Sequence, residues 1–291
     1  MHADGNPVLF DQVGGSGNTI GEMPLPITIA ALDDPRVADY RHLADHRHML
    51  ERGLFVAEGR LVVRRLLELR QWNVQSILLT PAALDNLADV LHLATAPIYL
   101  VDQELMNGIA GFNIHRGCLA LARRPEPATL DRIADGRLSR ILVMEGVNNP
   151  DNVGGLFRTA AAFGVELVIL GPNCGDPLYR KAIRTSMAAT LVVPFVTAPQ
   201  WPSAITDLRT DGFTVASLTP RHDALPLMDL PGHAKLALIV GAEGNGLTEP
   251  AMAASTYRVC IPTTAAVDSL NVTTAASIAM YHCWQESRGI R

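Results

Sequence analysis

Over the second half of the chain, short apolar segments alternate with segments that have the pattern of helices. Strands that are apolar throughout and separated by helices are typical of a parallel sheet covered on both faces. The apolar segments are 141–147, 166–170, 191–195, 213–218, 235–241 and 257–262, and the main helical segments are 152–164, 177–189 and 271–287. The sequence therefore predicts an α/β fold with a parallel sheet for residues 140–291.

A smaller α/β unit is predicted over residues 29–124, where strands and helices also alternate. Its predicted strands are 54–59, 76–80, 97–101 and 117–124, and its predicted helices are 33–51, 60–70, 82–93 and 102–109. Residues 1–28 are rich in Gly, Pro and Asn without periodicity, which predicts a flexible leader. Residues 125–139 begin with two closely spaced prolines and are predicted to link the two units.

The composition indicates a folded protein without a membrane segment. A chain of 291 residues with 48% hydrophobic and 18% charged residues can bury a substantial core in one large or two ordinary domains. No apolar run approaches the ~20 residues that span a bilayer, and the N-terminus lacks the pattern of a signal peptide. The four cysteines are scattered without metal-type spacing, which indicates reduced thiols in a cytoplasmic protein.

Charge is distributed unevenly along the chain. The formal net charge of −5 argues by itself against a nucleic-acid partner. Residues 41–70, however, carry seven arginines against four acidic residues, and residues 116–140 carry six against three. Arginine suits bidentate recognition of phosphate, although an arginine bias can equally come from genome composition. Local basic patches that contact a polyanion are therefore compatible with the sequence but not established by it.

Three polar clusters stand next to apolar segments in the C-terminal half. Residues 148–152 and 269–271 each precede a predicted helix, and residues 241–246 follow a predicted strand. Ligands of open parallel sheets bind at the carboxyl ends of the strands. Taken singly, each cluster could equally be a tight turn or a helix cap.

In their order along the chain, these clusters resemble the SpoU (TrmH) family of RNA ribose 2'-O-methyltransferases, which belongs to the SPOUT class. The similarity covers about residues 140–287 and extends more weakly to 55–68 and 115–124, which resemble the ribosomal-protein-like RNA-binding domain of that family. The matching positions are Asn152, Arg158-Thr159-Ala160, Gly241, Glu243, Gly246, Ile261-Pro262 and Ser269-Leu270-Asn271-Val272.

This resemblance implies a C-terminal domain tied in a deep trefoil knot, an exception to the rule that chains do not thread through loops. It also implies S-adenosylmethionine as cofactor, RNA as substrate, and a homodimer whose site is completed across the interface. The cofactor would be held by backbone at Gly241, Ala242, Gly246, Ile261, Pro262 and Leu270.

By the same resemblance, Arg158 is the catalytic arginine, Glu243 and Asn271 partner it, and Asn152 and Ser269 shape the site. The family mechanism often makes this arginine a base, but arginine side chains in proteins have a pKa above ~12 and stay protonated. We therefore expect Arg158 to hold the phosphate beside the reacting ribose and to stabilise developing negative charge. Phosphate or solvent would accept the proton.

Further candidates concern the RNA and the possibility of a metal. Each candidate RNA contact could instead be an ordinary surface residue. Three closely spaced histidines (42, 46 and 48) lack cysteine or acidic partners in a fixed pattern, so a solvated helix face is expected and no metal site. The candidate RNA contacts are Arg64, Arg65, His115, Arg116, Arg180, Lys181 and Arg184.

Ribosomal RNA is the expected substrate, because an added N-terminal domain is typical of family members that act on it, and transfer RNA is the alternative. A non-catalytic RNA-binding protein of the same fold is disfavoured by the presence of Arg158, Glu243 and Asn271. A nicotinamide-dependent oxidoreductase would need a Gly-rich turn after the first strand of the domain, and 148–155 has the wrong glycine spacing.

Overall fold

The structure, a computed structural model, describes residues 23–128, 138–264 and 269–287. Most of the predicted leader and linker therefore lies outside the described residues. The chain divides into two compact units, here called the N-terminal and the C-terminal unit. The N-terminal unit holds the described residues up to Glu126 together with Leu178–Leu191, and the C-terminal unit holds the remainder. The sequence analysis predicts Leu178–Leu191 to belong with residues 140–291, whereas this segment clusters with the N-terminal unit. The predicted domain boundaries stay a prediction.

The N-terminal unit is built on a five-stranded mixed sheet with the strand order β1-β4-β3-β5-β2. Its elements are β1 (Ile27–Thr28), α1 (His46–Glu51), β2 (Leu54–Glu58), α2 (Arg60–Leu69), β3 (Val74–Leu79), α3 (Pro81–Leu87), β4 (Ile98–Leu100), α4 (Gln103–Ala110) and β5 (Cys118–Arg123). Strands β1, β4 and β3 are parallel, and β5 is antiparallel to both β3 and β2. The hydroxyl of the fully buried Tyr40 is hydrogen-bonded to Ser76 Oγ at 2.9 Å, and burial raises the pKa of Tyr40.

Two predicted helices of this unit, 33–51 and 82–93, are interrupted; the second is divided into α3, which ends at Leu87, and a 3-10 helix, Leu91–Leu93. The predicted helix 33–51 is a 3-10 helix, Pro35–His42, followed by α1, because the Asp45 carboxylate accepts the His48 N–H at 3.0 Å and starts a new helix. Pro81 was expected to stop a strand, and it also occupies the first turn of α3, where its missing N–H costs no hydrogen bond. The predicted leader ends in β1, which pairs with β4.

The C-terminal unit is built on a seven-stranded sheet with the order β10-β12-β9-β11-β6-β7-β8. The second half of the chain contains β6 (Arg140–Glu145), α5 (Pro150–Ala162), β7 (Leu167–Leu170), α6 (Arg180–Thr185), β8 (Phe195–Thr197), α7 (Ser203–Thr210), β9 (Thr214–Leu218), β10 (Leu225–Pro226), β11 (Leu236–Gly241), α8 (Glu249–Ala254), β12 (Tyr257–Cys260) and α9 (Val272–Ser287). Of these, α6 belongs to the N-terminal unit. Every neighbouring pair of strands is parallel, so the predicted parallel α/β sheet is confirmed. The trefoil knot stays a prediction.

The region between α6 and β8 differs from the sequence prediction. Helix α6 ends at Thr185, and the next turn contains Met187 and Ala188 with positive φ angles, which L-residues rarely adopt in helices. The predicted strand 191–195 is wrong, because residue 191 ends a short 3-10 helix and the proline at 194 cannot donate to a sheet. Strand β8 begins directly after this proline, at Phe195.

Register in the centre of the sheet decides where a site can form. Strands β6 and β11 pair in parallel, and Gly241 lies opposite Glu145 at their carboxyl ends. The turn after β11 and the segment leading into α5 therefore start side by side. No helix among the described residues is both long enough and apolar enough to cross a bilayer.

Candidate active site

A cavity of about 350 Å³ lies at the carboxyl end of the parallel sheet. Its walls come from the ends of β9 and β11, from the segment after β12 and from the start of α9. Ile261, Ser269 and Leu270 line it, as do Gly241, Ala242 and Gly246. This is the edge at which parallel α/β sheets bind ligands.

The turn after β11 brings backbone rather than side chains to the cavity. A Cβ at Gly241 would overlap the backbone of Gly246 and lie 2.5 Å from the nitrogen of Leu247, so no larger residue fits. Gly244 and Gly246 have φ angles of +85° and +66°, and the Gly246 N–H donates to the Ala242 carbonyl at 3.0 Å. Glycine is required here for both the close approach and the backbone conformation.

Asn271 connects three segments that are far apart in the sequence. Its amide nitrogen donates to Glu243 Oε1 at 2.7 Å and to Asn152 Oδ1 at 3.1 Å. Its amide oxygen accepts the Thr273 N–H at 2.9 Å and so caps α9. The predicted site residues Asn152, Glu243 and Asn271 are therefore joined by hydrogen bonds at the cavity.

Close packing of α5 on α9 places Asn152 in this network. A Cβ at Gly155 would come within 2.7 Å of Thr273 Cγ2, so the glycine permits the approach of the two helices. About two turns from Asn152, the hydroxyl of Thr159 is hydrogen-bonded to that of Ser277 at 2.9 Å. Asn149 caps α5 by accepting the Asp151 N–H at 2.9 Å.

Arg158 does not join this network. It lies on α5, six residues after Asn152, which corresponds to about 120° around the helix axis. Its side chain is exposed, makes no hydrogen bond or ion pair with the described residues, and is not among those that line the cavity. Pro262 is likewise exposed beside the cavity rather than in its wall. The expected partnership of Arg158 with Glu243 and Asn271 is therefore absent among the described residues of this single chain.

Glu145, which the sequence analysis did not single out, is a buried carboxylate at the end of β6. It accepts hydrogen bonds from Trp201 Nε1 at 2.6 Å and from the Thr248 backbone N–H at 2.9 Å. The Thr248 hydroxyl donates to it at 2.8 Å. The signal that could have found it is a charged residue at the end of an otherwise apolar strand, since such residues are rarely buried without partners.

The two predicted RNA contacts on α2 differ in how closely each guanidinium is paired with a carboxylate. Arg64 binds Asp89 in a bidentate ion pair at 2.6 and 2.8 Å, and this contact lowers the pKa of Asp89. Arg65 is half-exposed and lies 3.7 Å from Glu68. The guanidinium of Arg64 is thus occupied within the unit.

The predicted contacts on α6 are also partly occupied. Arg180 Nη1 lies 2.5 Å from Glu58 Oε2 and its guanidinium stacks over the ring of Phe112 at 4.3 Å. Arg184 reaches the other oxygen of Glu58 at 3.2 Å but is half-exposed. Lys181 lies between them on the same helix. The charge of Arg180 is therefore compensated inside the N-terminal unit.

His115 and Arg116 are exposed in the segment before β5. Their assignment as RNA contacts, like those on α2 and α6, stays a prediction. Across the part of the chain that the structure describes, no group of His, Cys, Asp and Glu side chains is arranged to hold a metal ion.

Comparison with known proteins identifies the family. The family model described as the SpoU rRNA Methylase family matches residues 139–281. An uncharacterised tRNA/rRNA methyltransferase of Mycobacterium bovis is 42% identical over 257 residues, covering 86% of this chain and 88% of that protein. The chain belongs to the SpoU family.

Two further RNA methyltransferases are similar to this chain. The 23S rRNA (guanosine(2553)-2'-O)-methyltransferase of Bacillus subtilis is 26% identical over 255 residues, covering 87% of this chain and 98% of its own. The AdoMet-bound rRNA methyltransferase from Sinorhizobium meliloti superposes with a TM-score of 0.75 at 20% identity, covering 89% and 98% of the two chains, which establishes the fold. The predicted family, α/β fold and methyltransferase class are thereby confirmed.

Proposed function

We propose that this SpoU methyltransferase transfers a methyl group from S-adenosylmethionine to a ribose 2'-hydroxyl of ribosomal RNA. The observation that carries the proposal is the hydrogen-bonded link of Asn152, Glu243 and Asn271 at the cavity. The activity of the Bacillus subtilis relative, 2'-O-methylation of 23S rRNA, supports this substrate. The Mycobacterium bovis relative is an uncharacterised tRNA/rRNA methyltransferase, so transfer RNA is the second candidate.

The cavity residues fit S-adenosylmethionine. The cavity volume of about 350 Å³ falls within the range of small-molecule sites, about 300–1,000 Å³. Leu218, Ile261 and Leu270 offer apolar surface for a flat base, and the bare backbone at Gly241 offers hydrogen-bonding groups. The Glu243 carboxylate favours a ligand that carries positive charge. When bound, S-adenosylmethionine supplies a methyl group on a positively charged sulfur.

In this proposal Arg158 acts on the RNA rather than on the cofactor. It binds the phosphate next to the reacting ribose, which orients the 2'-hydroxyl and stabilises the negative charge that develops on its oxygen. The oxygen gains the methyl group and releases its proton to phosphate or solvent, because a guanidinium stays protonated. The exposed side chain of Arg158, unpaired among the described residues, supports a role toward an external anion.

A homodimer and an RNA-binding N-terminal unit complete the proposal. Helix α9 exposes Ile278 and Tyr281, and Tyr281 lies against Phe163, which together form an apolar patch suited to a second copy. In the N-terminal unit, the exposed His115 and Arg116 are proposed to contact RNA, with the cytoplasm as the place where enzyme and RNA meet.

Two measurements test the function. Calorimetric titration of the purified protein should show binding of S-adenosylmethionine and no binding of NAD. After incubation with ribosomal RNA from cells that lack this protein, mass spectrometry of the digested nucleosides should show one new 2'-O-methylated nucleoside. Methylation of a base, or methylation of transfer RNA alone, would contradict the corresponding part of the proposal.

A further inference from the structure

Glu145 is buried next to the cavity but does not line it. Its side chain is only 4% exposed, and the residue lies at the carboxyl end of β6, an interior strand of the sheet. A buried carboxylate is destabilising unless donors satisfy its oxygens. Three hydrogen bonds satisfy this carboxylate and tie it to the segments that supply the donors.

Both oxygens of Glu145 are engaged. Oε1 accepts the Trp201 indole N–H and the Thr248 hydroxyl, and Oε2 accepts the Thr248 backbone N–H. Thr248 directly follows the turn 241–247, and its hydroxyl also caps α8 by accepting the Ala251 N–H. Two of the three donors to Glu145 therefore belong to the residue directly after this turn.

The other end of the turn is held by the same residue. Gly241, the last residue of β11, lies opposite Glu145 in the register of the parallel pair. The backbone of Glu145 thus marks where the turn begins, and its carboxylate fixes where the turn ends. Between these points lie Ala242, Glu243 and Gly246, which line the cavity.

We propose that Glu145 is a positioning residue that holds the turn 241–247 in the shape that binds S-adenosylmethionine, without touching the cofactor itself. This inference rests on the proposed function. An isosteric amide cannot replace the carboxylate, because either orientation of a glutamine turns its NH2 group toward the indole N–H or toward the Thr248 N–H. A buried donor would then face another donor, and the turn would move to relieve the conflict.

The main test compares Glu145→Gln with Glu166→Gln. Glu166 Oε2 accepts the backbone N–H groups of Ser139 and Arg140, at 2.6 and 2.8 Å, and the Ser139 hydroxyl at 3.0 Å. Both variants thus disturb a carboxylate that accepts backbone N–H groups, from Thr248 in the case of Glu145 and from Ser139 and Arg140 in the case of Glu166. Glu166 acts at the amino end of that strand, on the order of 16 Å from Glu145 along it.

We expect Glu145→Gln to weaken S-adenosylmethionine binding, measured by calorimetry, and to raise its KM, both by about tenfold. At saturating cofactor, kcat should fall by less than about threefold, because the groups that act on the RNA are unchanged. Glu166→Gln should lower the thermal midpoint of unfolding while leaving cofactor affinity within about twofold of the unaltered protein.

Two further variants cover the case in which Glu145→Gln does not fold. Thr248→Val removes the hydroxyl but keeps the backbone N–H, and it should weaken cofactor binding by several fold. Thr248→Ser keeps the hydroxyl and should bind the cofactor as tightly as the unaltered protein. Equal cofactor affinity in Glu145→Gln and the unaltered protein, or equal losses in both glutamine variants, would overturn the inference. Absence of cofactor binding by the unaltered protein would instead overturn the proposed function, and the inference with it.

Discussion

Arg158 is the residue whose proposed role depends most on contacts outside the single chain. Within the described residues its guanidinium has no partner, although it follows the buried Asn152 on the same helix. A planar guanidinium binds phosphate in a bidentate manner, which an ammonium cannot do. The side chain is therefore expected to be needed for turnover and dispensable for cofactor binding.

For Arg158→Lys we expect kcat to fall by about 100-fold, because a bidentate contact that stabilises the transition state is lost. Affinity for S-adenosylmethionine should stay within about twofold. Methyl transfer to ribosomal RNA and calorimetric titration measure the two quantities. Near-normal turnover by the lysine variant would show that bidentate geometry is not needed.

Asn271 has two functions that substitutions can separate. In Asn271→Asp the oxygen that caps α9 is kept, whereas both N–H donors to Glu243 and Asn152 are lost and a second negative charge faces Glu243. We expect turnover to fall by about 100-fold while the stabilising cap of α9 is kept.

Asn271→Ala is the matched comparison, since it also removes the cap of α9 and should cost about 1 kcal/mol of additional stability. Chemical denaturation and methyl-transfer assays distinguish the two losses. If the aspartate variant keeps full turnover, the link between Glu243, Asn271 and Asn152 has no part in the reaction.

At the scale of elements, the first 3-10 helix of the N-terminal unit starts at an ionised aspartate. Asp34 caps the 3-10 helix Pro35–His42 and pairs with Arg36, whose hydrogen bonds lower the pKa of Asp34 from 3.8 to about 2. Because the pKa of the folded state is the lower one, the stabilisation is present above pH 3.8 and is lost as the pH falls to about 2.

We therefore expect Asp34→Asn to reduce the loss of stability between pH 4 and pH 2, as measured by urea unfolding at a series of pH values. Asp33→Asn is the control, because Asp33 makes no hydrogen bond with the described residues. An unchanged pH dependence in Asp34→Asn would show that the pair with Arg36 does not persist in solution.

Elements with a continuous apolar pattern could be predicted from the sequence, and those defined by tertiary contacts could not. β6, β9 and β11 are buried along most or all of their length, so each is apolar enough to be recognised. β10 has two residues and exists only because it pairs with β12, and α7 and α8 are short and part-buried. Isolated helices of this length are marginal without packing, so their local sequence gives a weak signal.

At the scale of the whole molecule, the apolar patch on α9 predicts self-association. Ile278 and Tyr281 are 40% and 46% exposed, which is unfavourable for large apolar side chains in water. We expect the unaltered protein to be a dimer by sedimentation analysis and Tyr281→Asp to shift it toward the monomer with loss of methyl transfer.

Met228→Asp is the control for this experiment, because Met228 is 69% exposed but lies on a different segment. It should leave both the mass in solution and the activity unchanged. A monomeric unaltered protein with full activity would contradict the dimer and require that Arg158 act within one chain.

The sequence by itself determined the class of fold and the family, and it singled out half of the residues that line the cavity, because periodicity and short motifs are local properties. The tertiary structure decided which motifs meet. Asn152 and Asn271 are 119 residues apart and are joined only by the packing of α5 on α9. Glu58 and Glu145 were found through partners that are distant in the chain. Hydrogen bonds between distant segments depend on register and packing, which no local pattern encodes.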